Sequence, residues 1–345
     1  MDIHYLKYAI IELTSVCNLR CMHCYNHWKS SDGKTVIPEN SYRKAFRLLD
    51  FLIRHTTVEN IVFTGGEPTL GERFIELILH AKLEEKKVTV ITNGNGPENI
   101  YRQLITLQAD MIEVSIHSLN EQTHDRITGC PGSWQRAVST LHLMRENKIK
   151  ATPIIVITSI NQTEIVETVD FFYQMGIRQI MVNRYNIGGE GLKQTHLSAS
   201  ATELRLIFQK LNLYAETHSI RIFSGVCTPF CLLNPEDYPN IGFGSCSDYV
   251  YQRPLTFDLD GNLRLCNHSP IVAGNIYHQT FEEIFSSDYV CEWNNLNIEH
   301  CRSCNKLSVC KGGCRAASEQ SGRSLQQADP IIETLQIFPH TDYFP

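Results

Sequence analysis

Between Tyr8 and Val182 the chain alternates six times between a short apolar run of strand length and a longer run of helical period, and few folds accept that pattern. The strand-like runs are 8–13, 61–64, 88–92, 111–116, 153–157 and 179–182. Helical runs cover 40–54, 72–85, a stretch through Trp134, Val138 and Leu141, and 163–174. In the first of these, Phe46, Leu49 and Ile53 fall on one face. Strands separated by helices pair in parallel through right-handed crossovers. The loops that leave their carboxyl ends then gather on one rim. On that rim the sequence puts Cys17 to Cys24, Gly65 to Pro68, Thr92-Asn93-Gly94, Ser115 and His117, Thr158 and Asn161, and Asn183 to Tyr185. Taken singly, Asn93-Gly94 is also a good turn dipeptide and Ser115 a good helix cap.

The loop after the first strand reads Thr14-Ser15-Val16-Cys17-Asn18-Leu19-Arg20-Cys21-Met22-His23-Cys24-Tyr25. Three thiols a few residues apart suit an iron-sulfur cube, which takes one thiolate per iron. Three ligands leave one iron open to a substrate or cosubstrate. A zinc knuckle is the alternative, with His23 and His27 nearby, and simple buried thiols are another. The turn Gly65-Gly66-Glu67-Pro68, one strand further on, weighs for the cube. Together the two motifs resemble the radical S-adenosylmethionine (radical SAM) superfamily, whose C-x3-C-x2-C signature holds a 4Fe-4S cluster while SAM chelates the open iron. The resemblance implies a partial (β/α)6 TIM-like barrel, here over residues 1–210. It implies that Cys17, Cys21 and Cys24 carry the catalytic cluster. The turn Gly65, Gly66, Glu67 and Pro68 would hold the SAM amino group, its glycines letting backbone approach the ligand. Asn93, Ser115, His117 and Asn161 are implied as further SAM contacts, with His23 flanking the adenine.

Thirteen cysteines would suit a disulfide scaffold, but such chains are usually short and this one has 345 residues. Three stand at the front, Cys130 stands alone, and nine run from Cys227 onward, a layout that favours metal ligation. Past a connecting region (Leu204 to Ser224, bridging 211–245), Leu255 to Cys266 reads as a hairpin around an Asp-Gly turn. Thr280-Phe281-Glu282-Glu283 reads as a capping box, and Cys301-x2-Cys304-x5-Cys310-x3-Cys314 follows. By itself this block could be a zinc ribbon. The spacing Cys246-x14-Gly261-x4-Cys266 with that run resembles the SPASM extension of radical SAM maturases, a small α+β domain with one or two auxiliary 4Fe-4S clusters. It would span 246–332, leaving a tail at 333–345. The resemblance implies one cluster on Cys246, Cys266 and Cys314 with Cys231 or Cys227. Cys301, Cys304 and Cys310 would hold another, completed by Cys291, a non-cysteine group or nothing. In the family a final cysteine follows an Asp-Pro; here Asp329-Pro330 is followed by Ile331 and Ile332. Cys130 and Cys291 also read as incidental thiols.

A hydrophobic content of 42% supports a sizeable core, and a net charge of -6 without a polybasic stretch argues against nucleic-acid or anionic-membrane partners. No signal-peptide core is visible, and no run approaches the ~18 apolar residues of a membrane span. A cytoplasmic protein in a reducing, anaerobic setting is expected. The resemblance implies an enzyme that cleaves SAM to a 5'-deoxyadenosyl radical and abstracts hydrogen from a ribosomal peptide precursor. The product would be a carbon-carbon or thioether crosslink, or a related oxidative modification. A formylglycine-generating protein maturase, a tetrapyrrole-type small-molecule enzyme and a non-catalytic iron-sulfur or zinc scaffold are the alternatives. A reductant such as flavodoxin or ferredoxin is implied. Because the first strand begins within ten residues of Met1, leader recognition is expected from a separate leader-binding protein, a groove on this fold or strand addition.

Overall fold

The structure, a computed structural model, describes residues 6–28, 40–246, 250–295 and 297–336. Eight parallel strands follow one another in chain order: β1 (Tyr8–Glu12), β2 (Asn60–Thr64), β3 (Lys87–Thr92), β4 (Met111–Ser115), β5 (Ala151–Ile157), β6 (Gln179–Arg184), β7 (Arg221–Ser224) and β8 (Ile241–Phe243). The crossovers are helical: α1 (Ser41–His55), α2 (Phe74–Leu83), α3 (Glu98–Thr106), α4 (Glu121–Thr128), α5 (Ser133–Glu146), α6 (Ile165–Gln174) and α7 (Ala201–Thr217). This is the α/β barrel architecture expected from the alternation. Side-chain alternation explains its layers. Ile11, Phe63, Val90, Ile112, Val114, Ile155, Ile157 and Val182 are fully buried toward the helices, where Leu48, Leu49, Leu52, Leu77 and Ile78 also lie in the core. The alternate positions Ile10, Ile91, Glu113, Ser115, Ile154, Val156, Met181 and Asn183 line an internal cavity instead.

Three features depart from expectation. The connection between β3 and β4 contains α3, which buries only Tyr101 and Leu104 and so leaves a faint period. Helix α7 runs through the expected boundary at residue 210. The bridging region then adds β7 and β8 to the barrel sheet, four and three residues long, too short for any periodic signal.

The C-terminal unit continues the same sheet. Its β9 (Thr256–Asp258) pairs in parallel with β1, placing Phe257 beside Ile11. Next come β10 (Asn262–Arg264) and β11 (Gly274–Asn275), both antiparallel, with Gly261 turning the hairpin at φ +83°. Short helices complete it: α8 (Phe281–Phe285), α9 (Asp288–Asn294), α10 (Leu307–Cys310), α11 (Arg315–Gln320) and α12 (Pro330–Thr334). Thr280 and Glu283 form the expected capping box. The tail expected from 333 starts inside α12, and residues 337–345 lie outside the described ones.

A buried ion pair helps tie the two units. Arg264 on β10 pairs with Glu12 on β1, each side chain 6% exposed. The same guanidinium donates to the Ser269 carbonyl at 3.0 Å and lies 3.9 Å from the centre of the Trp28 ring. Removing one member of a buried pair strands the other charge. Arg264→Leu is therefore expected to lower stability by about 3–5 kcal/mol, measured as a shift in the urea midpoint. The double variant Glu12→Leu/Arg264→Leu should recover most of that loss.

Candidate active site and iron-sulfur centres

The cysteine loop leaves β1 and is held from below by the turn after β2. Gly66 N–H donates to the Thr14 carbonyl at 2.6 Å and Glu67 N–H to the Val16 carbonyl at 2.7 Å. A Cβ on Gly66 would stand 2.1 Å from the Val16 carbonyl oxygen, and one on Gly65, at φ +138°, would stand 2.5 Å from that of Thr14. The glycines are thus required by protein backbone, a reason beyond the ligand approach expected of them. Both still line the cavity, with Cys17, Cys21 and Cys24. Cys17 Sγ accepts from Leu19 N–H at 3.5 Å and from Asn93 Nδ2 at 3.7 Å.

Glu67 is a strut. Its fully buried carboxyl accepts from Thr69 N–H and Oγ1 at 3.2 and 2.6 Å, from Thr92 Oγ1 at 2.7 Å and from Asn93 N–H at 2.7 Å. Burial pushes its pKa up while those donors hold it down. Neither Glu67 nor Pro68, which opens a buried turn, reaches the cavity. Asn161 is likewise withdrawn: its Nδ2 donates to the His117 and Val156 carbonyls at 2.7 and 2.9 Å, so it shapes the rim without lining it. Asn93, Ser115, His117 and His23 do line the cavity. The His23 ring meets His117 edge-on at 4.5 Å, and His117 stacks on His124 at 5.5 Å. Val156 N–H donates to His117 Nδ1 and His117 N–H to His124 Nδ1, so each ring carries its proton on Nε2. Burial, reinforced by neighbouring imidazoles, holds His117 well below the usual range, and burial brings His124 down to about 4.

The C-terminal cysteines divide into two sets of four. Cys227, Cys246, Cys266 and Cys314 all line the cavity that holds the first loop. Cys227 hydrogen-bonds Cys246 and feels the charges of Cys314 and Cys266. Cys231 faces Cys310, Cys301 and Cys304, and the neighbouring Phe230 N–H donates to Cys310 Sγ at 3.2 Å. Of the two thiols expected to compete for the first set, Cys227 is the one that lines this cavity, and Cys231 lies beside the other set. Cys291 does not: it is exposed on α9, its thiol 3.8 Å from the Ser286 carbonyl. Ile332 is packed in the core at 2% exposure.

Some side chains at the site were not singled out by the sequence, and others take a part there that it did not suggest. Tyr25, next to Cys24, stacks on His268 at 3.7 Å and 6°, and Asn267 Nδ2 donates to its hydroxyl at 3.1 Å. The first cysteine loop thereby touches the Cys266 loop. Asp329 pairs with Arg184, both 1% exposed, and accepts from Cys314 N–H at 2.8 Å. The Asp-Pro motif thus sets the Cys314 loop even where no cysteine follows it.

Residues 11–172 match the radical SAM superfamily, and residues 246–305 match the iron-sulfur cluster-binding SPASM domain. The chain belongs to the radical SAM superfamily and carries a SPASM domain. It is 26% identical over 317 residues to the antilisterial bacteriocin subtilosin biosynthesis protein AlbA of Bacillus subtilis (strain 168), covering 89% of this chain and 66% of AlbA. It is 23% identical over 344 residues to the AdoMet-dependent heme synthase of Methanosarcina barkeri, covering 92% and 94% of the two chains. In fold it resembles Streptococcus suis SuiB bound to S-adenosylmethionine, with a TM-score of 0.71 at 17% identity over 94% of this chain and 76% of SuiB.

SAM and 4Fe-4S clusters are the cofactors of this radical SAM SPASM chain, and its donor sets fit them. Burial and adjacent thiolates push Cys266 and Cys231 up to about 12 and Cys301 up to about 11, and burial with the Asp329 charge pushes Cys314 up to about 11. Thiols so crowded ionise together only when a cation balances them. Backbone and amide donors already point at sulfur: His268 N–H at Cys266 and Asn186 Nδ2 at Cys314, each 3.5 Å away. Glu67→Gln replaces an acceptor of four bonds with a group that accepts on one side only. It is expected to cost about 1–3 kcal/mol in chemical denaturation and to weaken SAM binding through displacement of Asn93.

Proposed function

We propose that this radical SAM SPASM enzyme is a maturase that installs an oxidative crosslink, carbon-carbon or thioether, in a ribosomal peptide precursor. The observation that carries it is one cavity of about 450 Å³ lined both by Cys17, Cys21 and Cys24 and by Cys227, Cys246, Cys266 and Cys314. Bound at the first loop, SAM supplies a 5'-deoxyadenosyl radical able to take hydrogen from an unactivated carbon. Forming a crosslink removes a second hydrogen as a proton and an electron, and that electron needs an acceptor within reach of the substrate. A cluster held by Cys227, Cys246, Cys266 and Cys314, which line the same cavity, would supply such an acceptor. Gly65, Gly66, Asn93, Ser115 and His117 would bind SAM, with Glu67 and Asn161 holding the rim. The neutral His117 and the apolar walls Ile10, Ile91, Ile154 and Met181 keep water and stray hydrogen donors away.

AlbA takes part in bacteriocin biosynthesis, and SuiB is known bound to its precursor peptide SuiA. Both support a peptide substrate. The tetrapyrrole alternative draws on the heme synthase match, which spans nearly that whole protein. The formylglycine alternative no longer suffers from a missing cysteine if Cys231 replaces it. Cys231 and Cys304 are exposed, so the second set opens to the surface where a flavodoxin or ferredoxin could exchange electrons. Leader recognition by a separate protein remains part of the proposal. No helix among the described residues is long and apolar enough to cross a membrane.

Co-expression with the short peptides encoded beside the gene tests the substrate: loss of two hydrogens is expected by mass spectrometry, and an unchanged peptide mass with a modified tetrapyrrole would overturn it. Anaerobic reconstitution tests the centres, with about 12 iron atoms per chain expected for three cubes. Cys231→Ala should convert one centre to a three-iron signal in electron paramagnetic resonance while Cys291→Ala changes nothing. Iron content and spectra unaffected by Cys231→Ala would remove it from the ligand set.

A further inference from the structure

One strand layer below the rim, a carboxyl faces the cavity with nothing to answer it. Glu113 lies at the middle of β4, between Ile112 and Val114, whose side chains are fully buried on the helix side. The strand period therefore turns Glu113 inward, on the same face as Ser115. Its register partners are Ile91 on β3 and Thr152 on β5, both uncharged. The cavity wall around it is apolar, with Ile10, Ile154, Met181 and Leu265. Among the described residues that line the cavity, Glu113 is the sole carboxylate and no lysine joins it. Of the two arginines in that wall, Arg184 is committed to Asp329 and to the Cys227 carbonyl, and Arg253 donates to Asn294 Oδ1 at 2.6 Å. No described side chain hydrogen-bonds or pairs with the Glu113 carboxyl.

A lone carboxyl in an apolar pit costs free energy in the empty protein. Burial alone pushes this one up to about 7. Its part-exposure is to the cavity and not to the outer surface, so a partner for it has to come from whatever enters the cavity. The SAM contacts proposed above sit at the strand ends; Glu113 sits deeper.

We propose that Glu113 anchors the substrate, accepting a hydrogen bond from an N–H, O–H or ammonium group on the residue to be modified and so fixing which carbon faces the rim. The proposal rests on the peptide-modifying function above. It makes the enzyme selective for side chains with a donor at their far end, because a site built around a buried acceptor rejects analogues that leave it unpaired.

The test uses the reconstituted full-length enzyme and the precursor peptide that co-expression shows to be modified. Glu113→Gln keeps size and one acceptor; Glu113→Met keeps size and removes both. The peptide KM should rise about tenfold or more in Glu113→Met and by less in Glu113→Gln, as expected for loss of a buried polar partner. SAM affinity by equilibrium dialysis should stay within about twofold of wild type, a shift of under 0.5 kcal/mol. Removing the donor from the peptide's modified residue should weaken wild type and leave Glu113→Met indifferent, a coupling that mere structural support would not produce. Unchanged KM in both variants, or a loss of SAM affinity in Glu113→Met, overturns the assignment while leaving peptide maturation standing. A wild-type enzyme that modifies no peptide overturns both.

Discussion

Everything in this molecule hangs on strand β1, which has β2 on one side and β9 on the other. The loop that leaves it carries Cys17, Cys21 and Cys24, and the hairpin that pairs with it carries Cys266. A shift of β9 by one residue would turn Phe257 from the core and swing the Cys266 loop to the other face. The Glu12–Arg264 pair resists that shift, because it lies buried where either charge alone would be costly. Burial pushes the Glu12 carboxyl up to about 7, and Arg264 opposes that push without cancelling it. Tyr25 stacked on His268 closes the same junction from above. The two cysteine fields are therefore walls of one chamber and not two domains in casual contact.

Much of this was legible in the chain because strands of five to seven residues with fully apolar outer faces leave a clear mark. Ile11, Phe63, Val90, Val114 and Ile157 are such residues, and the strand ends they define carry the candidate site. What was not legible has physical reasons. Strand β7 gains its place from pairing with β6 and β8 from pairing with β7, and Arg221–Ser224 alone has too little pattern to announce it. Glu67 and Asn161 sit in motifs that suggest ligand contact, yet a buried polar group first satisfies its neighbours. Glu67 has four such donors, and Asn161 spans two carbonyls. Glu113 was hidden for the opposite reason: one charge inside an otherwise ordinary strand reads as an edge or a solvent face until the register shows which side it takes.

The cysteines show how a loop can mislead. Cys227 and Cys231 stand four apart, the spacing of a single cluster loop, and in sequence they compete for one place. In the structure Leu232 and Leu233 donate to the Pro229 carbonyl at 2.9 and 3.0 Å and are 1% exposed each. Arg205 on α7 grips the Cys231 carbonyl at 2.8 Å. These contacts turn the chain at Pro229, so Cys227 looks into the chamber and Cys231 looks out toward Cys301, Cys304 and Cys310. On the ligand sets proposed above, the residues from Cys227 to Cys231 stretch from one thiol set to the other.

That stretch also relates the chamber to the surface. Five residues of backbone, Cys227 to Cys231, join a thiol set that borders the substrate cavity to one that opens to solvent. On the chamber side Arg184 and Asp329 clamp the turn: Arg184 Nε donates to Thr228 Oγ1 at 3.2 Å, and its guanidinium also reaches the Cys227 carbonyl at 2.8 Å. Asp329, fixed by its own bonds to Ile331 N–H and Cys314 N–H, sets the height of that clamp. The absence of a cysteine after Asp329-Pro330 is then coherent with the rest of the chain. With Cys231 beside the outer three, that set already has four thiols, and Ile332 serves as core on α12, at 2% exposure.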